Sequence, residues 1–386
     1  MWRGLASNML TILVVGMFLI GGVILWGQSQ YRADGPLETA ICLQVKSGSN
    51  MTRVSRELED QGAISNATIF RMGADYSDKS QQLKAGSFLV REGSSMEQIV
   101  EDITKSGAST CGTEIEYRIG VTRTQTRVRE LDPATLDFVE IAMFETDVDE
   151  TPDIYGEKRN DADTRYRISL AEGVTSWQVV EALKSADFLG GEVAEIPAEG
   201  MLAPDSYEVT SGTDRNEVLS DMQAKQQLRI NAAWERRQDG LPLSNPEEML
   251  ILASIIEKET GVPEERGQVA SVFVNRLNQG MKLQTDPTVI YGVTKGRGVL
   301  GRGLRRSELN RPTPWNTYQI DGLPPTPIAN PGLASLEAAV APDDTDFVFF
   351  VADGTGGHAF AETLQEHNRN VAKWREIEAE QNNSNN

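Results

Sequence analysis

No charged residue stands between Arg3 and Arg32, and the run from Met9 to Trp26 is almost wholly apolar. Such a run is long enough to cross a bilayer as a helix, the one single segment that satisfies its own backbone polar groups there. A cleavable signal has a shorter apolar core followed by a small-residue cleavage site. Here the sequence continues WGQSQY and offers neither, so the run reads as an uncleaved anchor over residues 9–28 behind a short N-terminus, residues 1–8. Trp2, Trp26 and Tyr31 fall near its two ends, as interfacial aromatics do. One arginine flanks each side, so charge does not decide the orientation.

The remainder must fold in water. At 386 residues the chain exceeds one ordinary core, and two or three domains are expected. Acidic residues number 57 against 37 basic, a formal charge of −20. A surface that acidic repels a phosphate backbone, which argues against nucleic acid as a partner.

From Ile41 onward a small α+β pattern emerges. ICLQV and AGSFLV read as strands, and SGSNMTRVSREL reads as a capped helix. One phrase recurs: VKSGSNMTRVSREL (Val45 to Leu58), VREGSSMEQIVEDI (Val90 to Ile103) and LAEGVTSWQVVEAL (Leu170 to Leu183). Each joins a strand end, a glycine turn and an amphipathic helix, so a supersecondary unit repeats. Apolar stripes such as Met51, Val54 and Leu58 are core-facing in that pattern. Glu114 to Val121 alternates as a strand. The acidic span Glu145 to Thr164 then reads as an inserted flexible loop. Asp147, Asp149 and Glu150 lack the glycine and terminal glutamate of a calcium loop, and a solvated loop is the reading adopted. The expected boundaries are a first subdomain over 41–112, a second small region over 113–190, a C-terminal domain over 195–376 and a disordered tail over 377–386.

The most informative stretch runs from Asn245 to Gly292. Asn245 is a good N-cap, Pro246 suits the first helical position and Glu248 sits three residues after the cap, which starts a helix there. Gly261 supplies the left-handed residue that commonly follows a helix, and Pro263 bars continuation, so the helix ends near Thr260. Ile251, Leu252, Ile255 and Ile256 form one buried stripe, and Glu259 extends it. Glu257 and Lys258 fall roughly 160° and 100° away from Glu259 and read as a solvated pair, at about 100° per residue. A carboxylate on an apolar stripe loses hydration, and the C-terminal end of a helix dipole is negative. Both push its pKa up, which is how a general acid is made. The blander account is an acid at a fraying helix end, paired with Lys258 or Arg266. A second helix spans about Pro263 to Gln279, with Val269, Val272, Phe273 and Leu277 inward. Then come Gln284, Thr285 and Asp286 as clustered polar groups, Pro287 as a bend, and Tyr291 as an aromatic able to stack on a sugar face. A hydrogen-bonded turn explains the same residues. Asn316, Tyr318 and GLPPTPIANPG follow as a Pro-rich wall, and FVFFVADGTGGHAF reads as a hairpin. No GxSxG elbow or HExxH motif accompanies the two histidines, His358 and His367.

SIIEKETGVPEERGQVASVFVNRL, GMKLQTDPTVIYG, NTYQIDGLPPTPIANPG and FVADGTGGHAF resemble, in that order, the endolytic murein transglycosylase family (MltG/YceG type, lytic transglycosylases), across roughly residues 240–376. The resemblance implies an α+β protein: a single N-terminal transmembrane helix, LysM-like small α+β subdomains and a C-terminal mixed α+β catalytic domain. It implies that Glu259 is the catalytic acid, with Asp205, Tyr207, Gln284, Thr285, Asp286, Tyr291, Asn316 and Tyr318 as candidate substrate-binding residues. A turn centred on Pro204 explains Asp205 and Tyr207 equally well. The family cleaves the MurNAc–GlcNAc bond of nascent strands and leaves 1,6-anhydroMurNAc ends without cofactor or metal. Its expected partners are peptidoglycan glycan strands, the inner membrane and peptidoglycan synthases (penicillin-binding proteins). The body then lies in the periplasm, with the N-terminus cytoplasmic.

Cys42 and Cys111 are the only cysteines, too few for a four-ligand zinc site. In an oxidising periplasm they are candidates for a disulfide, with two free buried thiols as the alternative. Two rival functions stay open. One is a muramidase in which Asp286 acts as a second carboxylate with Glu259; the other is a non-catalytic, wall-binding scaffold.

Overall fold

The computed structural model describes residues 2–105, 110–161 and 163–384. It divides into two compact units, the first comprising 1–115, 127–143 and 150–165, the second 116–126, 144–149 and 166–386. Helices and strands are mixed throughout, so the chain is α+β.

The first unit opens with helix α1 (Trp2–Arg32). Among the described residues, Leu13–Arg32 is the one helical segment long and apolar enough to cross a membrane. Strand β1 (Ile41–Val45), helices α2 (Met51–Asp60) and α3 (Ala67–Tyr76), strand β2 (Gly86–Val90) and helix α4 (Met96–Thr104) follow. β1 and β2 pair antiparallel, Leu43 opposite Phe88. Leu43, Val54, Leu58, Phe70, Ile99 and Ile103 are buried together between this ribbon and the helices. The structure joins Cys42 to Cys111, their Cα atoms 5.7 Å apart.

Strands β3 (Thr113–Ile119), β4 (Thr124–Leu131) and β5 (Phe138–Glu145), helix α5 (Asp153–Lys158) and strand β6 (Arg165–Leu170) come next. The acidic span read as a flexible loop therefore contains a helix. The physical reason is Tyr155, which is buried, while Lys158 Nζ pairs with Glu130 Oε1 at 3.0 Å and Thr164 Oγ1 donates to the Lys158 carbonyl at 2.6 Å. One aromatic and one ion pair anchor a stretch whose composition looks solvated. Asp149 Oδ2 accepts from Glu145 N at 2.6 Å and so closes the turn after β5. Ala162, within that span, lies outside the described residues.

The second unit continues with α6 (Ser176–Ser185), β7 (Ser206–Val209), α7 (Arg215–Glu235), α8 (Pro246–Glu259), a 3₁₀ turn (Pro263–Glu265), α9 (Arg266–Asn278), α10 (Asp286–Thr294), α11 (Arg306–Leu309), α12 (Leu333–Val340), the hairpin β8 (Phe349–Ala352) and β9 (His358–Ala361), and α13 (Leu364–Ser384). The five-stranded sheet has the order β5-β4-β3-β6-β7, with β6 and β7 antiparallel. α13 corrects the expectation of a disordered tail over 377–386: the helix runs through Ser384, and residues 385–386 lie outside the described residues.

The repeated phrase is visible as structure. β1, β2 and β6 each end in a turn whose glycine has a left-handed φ, at Gly48 (77°), Gly93 (67°) and Gly173 (76°). Two residues later stands the cap of the next helix, Asn50, Ser95 or Thr175. The cap side chain accepts from the backbone N–H three residues on, of Arg53, Gln98 and Gln178 respectively. A side chain on those glycines would be strained, so glycine is required by the turn.

Candidate active site around Glu259

Helix α8 forms as its sequence directs. Asn245 Oδ1 accepts from Glu248 N at 2.8 Å, Pro246 opens the helix, and Ile251, Leu252, Ile255 and Ile256 are buried against Phe273 of α9 and Leu336 of α12. Its last residue is Glu259. The stop is not made by Gly261, which is not left-handed; Thr260 turns the chain out in an extended conformation, φ −133° and ψ 132°. Thr260 Oγ1 accepts from Val262 N at 3.0 Å, which holds that exit.

Glu257 and Lys258 are not a solvated pair. Glu257 Oε2 accepts from Gly332 N at 2.9 Å and from Ser335 Oγ at 2.7 Å, tying α8 to the start of α12. Lys258 Nζ donates to the Gly173 carbonyl at 3.2 Å, and burial depresses its pKa. Each neighbour of Glu259 is committed elsewhere, so neither is its partner.

Glu259 is partly buried, and its partner is Thr285, whose hydroxyl donates to Oε1. Thr285 caps α10, so the C-terminal end of α8 meets the N-terminal end of α10 at this bond. Pro287, read as a bend, instead stands in the first turn of α10, where its missing N–H costs nothing. Thr285 is itself braced. Its backbone N–H donates to Thr317 Oγ1 at 3.1 Å, and its carbonyl accepts from Thr288 Oγ1 at 2.8 Å.

Burial raises the Glu259 pKa and the nearby Asp286 carboxylate adds to the rise. The Thr285 hydroxyl, His358 and Arg276 oppose it. The net displacement is upward, because desolvation of the charged form outweighs the donor and the cations. Arg276 is the unexpected member. It is buried on α9, with Nε donating to the Val348 carbonyl at 2.7 Å and Nη1 to the Leu283 carbonyl at 2.5 Å. Burial lowers its own pKa.

The sequence-predicted residues divide into three groups. Thr285 bonds Glu259, Asp286 and Tyr318 lie within electrostatic reach of it, and Gln284 precedes Thr285 in the chain. Gln284 and Asp286 are exposed, and Tyr318 Oη donates to Asp286 Oδ1 at 2.7 Å. Gln284 holds a left-handed φ of 48°, a conformation that costs a non-glycine residue about 1 kcal/mol. Its N–H donates to the Thr317 carbonyl at 3.2 Å, which helps hold the strained residue in place.

Asn316 and Tyr291 belong to the supporting structure. Asn316 is fully buried, and its amide donates to the carbonyls of Glu308, Leu309 and Arg311 at 3.1, 3.0 and 2.7 Å. A side chain so enclosed braces a loop and presents nothing to a ligand. Tyr291 packs on Trp315 with ring centroids 5.9 Å apart, and its hydroxyl donates to Glu199 Oε2 at 3.1 Å, so its ring is already committed. Asp205 and Tyr207 form the third group, on the segment entering β7. Asp205 Oδ2 pairs with Lys225 and Arg229 at 2.5 Å each, and Tyr207 Oη donates to the Ala203 carbonyl at 2.7 Å. Asp205 and Tyr207 thus bond within their own segment and to α7.

Sequence reasoning missed three participants. Arg276 has no signature in a helix already rich in apolar residues. Glu265 accepts from both His358 N and His358 Nδ1 at 2.8 Å, a pair that joins the 3₁₀ turn to β9 across 93 residues. Glu199 is a further acid raised by burial; it accepts from Ser176 N at 2.7 Å as well as from Tyr291.

The model of the YceG-like family matches residues 43–138 and 144–373. A Bacillus subtilis protein named endolytic murein transglycosylase is 29% identical over 359 residues, covering 92% of this chain and 91% of that protein. A Streptococcus pneumoniae protein of the same name is 25% identical over 362 residues, covering 88% of this chain and 59% of that longer protein. A crystal structure of a yceG-like protein from Listeria monocytogenes aligns with 86% of this chain and 98% of its own, at 24% identity and a TM-score of 0.46.

Proposed function

Because the chain belongs to the YceG-like family, we propose that it is an endolytic peptidoglycan lytic transglycosylase, a lyase whose acid and base are both Glu259. Protonated Glu259 gives its proton to the oxygen joining MurNAc to GlcNAc, and the C1–O bond breaks. The MurNAc C6 hydroxyl oxygen then bonds to C1, and its proton passes to the Glu259 carboxylate, which is thereby restored. No water is consumed, and the product is a 1,6-anhydroMurNAc end.

The observation that carries this reading is Glu259 itself: an acid displaced upward by burial at the end of α8, holding one donor bond from Thr285. The first proton transfer needs the neutral acid and the second needs a carboxylate that a neighbouring hydroxyl steadies. Gln284, Asp286 and Tyr318 are the residues we assign to the sugar chain, since they stand beside the acid and are not wholly enclosed. The names carried by the Bacillus and Streptococcus relatives support the same substrate class.

The wider setting is part of the proposal. α1 anchors the protein in the inner membrane with its body in the periplasm, where it cuts strands still held by peptidoglycan synthases. The small domain over 41–112 is LysM-like, and 195–376 is the catalytic domain. The exposed Asp286 carboxylate beside Glu259 favours one competitor, hydrolysis by a carboxylate pair.

Mass spectrometry of products from purified glycan strands separates the two, because an anhydro end is lighter than a reducing MurNAc end by one water. Anhydro ends from the wild type and none from Glu259→Gln are expected. Reducing ends would replace this reading with the hydrolytic one, and an active Glu259→Gln would remove the assignment of the acid.

A further inference from the structure

Helix α1 outlasts its apolar run. After Trp26 it continues through Gln28, Ser29 and Gln30 to Tyr31 and Arg32. There it meets its own small domain without a hinge. A Cβ on Gly73 of α3 would strike the Tyr31 ring, so only glycine lets the ring lie on that helix. Arg32 Nε pairs with Glu97 Oε1 of α4 at 3.3 Å. The chain then turns through Gly35, whose N–H donates to the Gly93 carbonyl at 3.0 Å, while Gly93 N donates to Leu37 O at 3.0 Å.

The rise of a helix sets the depth of this junction. Tyr31 lies about 7.5 Å beyond Trp26 at roughly 1.5 Å per residue. A bilayer about 30 Å thick in its hydrocarbon and about 40–45 Å overall leaves about 5–7.5 Å of headgroup on each side. The point where α3 touches α1 therefore falls at headgroup depth once α1 spans.

The faces of α3 follow from its period. Ala67, Phe70 and Ala74 are buried in the domain. Gly73 faces Tyr31. Tyr76 and Met72 lie about 60° and 100° from Gly73 on the side away from that core, at roughly 100° per residue. They are 85% and 66% exposed. The segment from Arg71 to Lys79 carries two charges of each sign, and Lys79 Nζ turns to Glu101 Oε1 of α4 at 3.4 Å.

We propose that α3 is a membrane-contact helix, with Met72 and Tyr76 set in the headgroup layer of the bilayer that α1 crosses. The inference rests on the reading of α1 as an anchor. The partner is the lipid boundary itself, recognised by an apolar thioether and an amphipathic phenol. With two charges of each sign between Arg71 and Lys79, the segment has no cationic excess to draw anionic lipid. Its consequence is orientation: α1 and α3 together fix how the small domain stands on the surface.

The test uses the full chain in phosphatidylcholine vesicles, with the native disulfide intact and one new cysteine at a time: Met72→Cys, Tyr76→Cys, or Leu228→Cys on α7 as an exposed control. Each is labelled with an environment-sensitive fluorophore. Labels at 72 and 76 are expected to shift to the blue, to be quenched by shallow spin-labelled lipid and to resist aqueous iodide severalfold better than the label at 228. Adding anionic lipid is expected to change none of this. If the protein floats with vesicles but all three labels quench alike in iodide, the inference is overturned and the anchor stands. If the protein does not float, the anchor reading fails and takes the inference with it.

Discussion

The hydroxyl of Thr285 donates to the carboxylate of Glu259, so the first residue outside one helix holds the last residue of another. The bond steadies the ionised acid against the burial that disfavours it.

Thr285→Val removes that donor and keeps the shape. The carboxylate then loses a stabilising partner, and its pKa rises further. The alkaline limb of the activity profile is expected to move to higher pH, because the group remains protonated longer. Turnover at neutral pH is expected to fall roughly tenfold, on the order of 1.4 kcal/mol of barrier, as the carboxylate is less well placed for its second task. A pH–rate profile on purified glycan checks both, and an unmoved alkaline limb would sink the argument.

Glu259→Gln is expected to cost roughly 10²–10⁴ in turnover or more, the range for a lost general acid. Stability should move the other way. The folded pKa lies above the ordinary glutamate value of 4.5, so the neutral form is favoured by folding. That contribution is full below the unfolded value and is lost as pH rises through the folded one. Above that window the wild type carries a buried charge that the amide lacks. Melting curves across pH should therefore show the variant equal to or more stable than wild type at neutral pH, with the gap closing in acid.

Asn316→Ala removes a buried amide from three carbonyls; Glu308 O keeps a bond from Arg311 N and Leu309 O one from Gln319 Nε2, while Arg311 O loses its side-chain donor. A loss of about 1–3 kcal/mol is expected, the cost of one unsatisfied group together with the weakened bracing. Denaturant midpoints measure it. Folded variant protein that kept full stability and lost only substrate affinity would contradict the bracing role.

Replacing Cys42 and Cys111 with serine opens a link between residues 69 apart. The chain-entropy model assigns about 4 kcal/mol to such a closure. The midpoint should drop accordingly, and reductant should lower the wild type but not the double variant.

Much of α8 could be read in advance because its signals are local: a cap, a proline and an apolar stripe within one stretch. The repeated strand–glycine–cap phrase was legible for the same reason. What escaped depends on partners far along the chain. Glu257 and Lys258 read as solvated because α12 and the Gly173 turn, which engage them, are 75 and 85 residues away. Arg276 cannot be distinguished from a surface arginine until Val348 and Leu283 are placed around it. Tyr155 shows the converse error, since one buried ring outweighed an acidic composition.

The meeting of α8 and α10 end to end has a kinetic meaning. A helix C-terminus carries partial negative charge and a helix N-terminus partial positive charge. A carboxyl group at the junction feels both, and neither of its protonation states is trapped by a one-sided field. Any catalyst that must lend a proton and reclaim it within one turnover works fastest when the two states are close in free energy, and opposed helix ends keep the backbone from tilting that balance to one side.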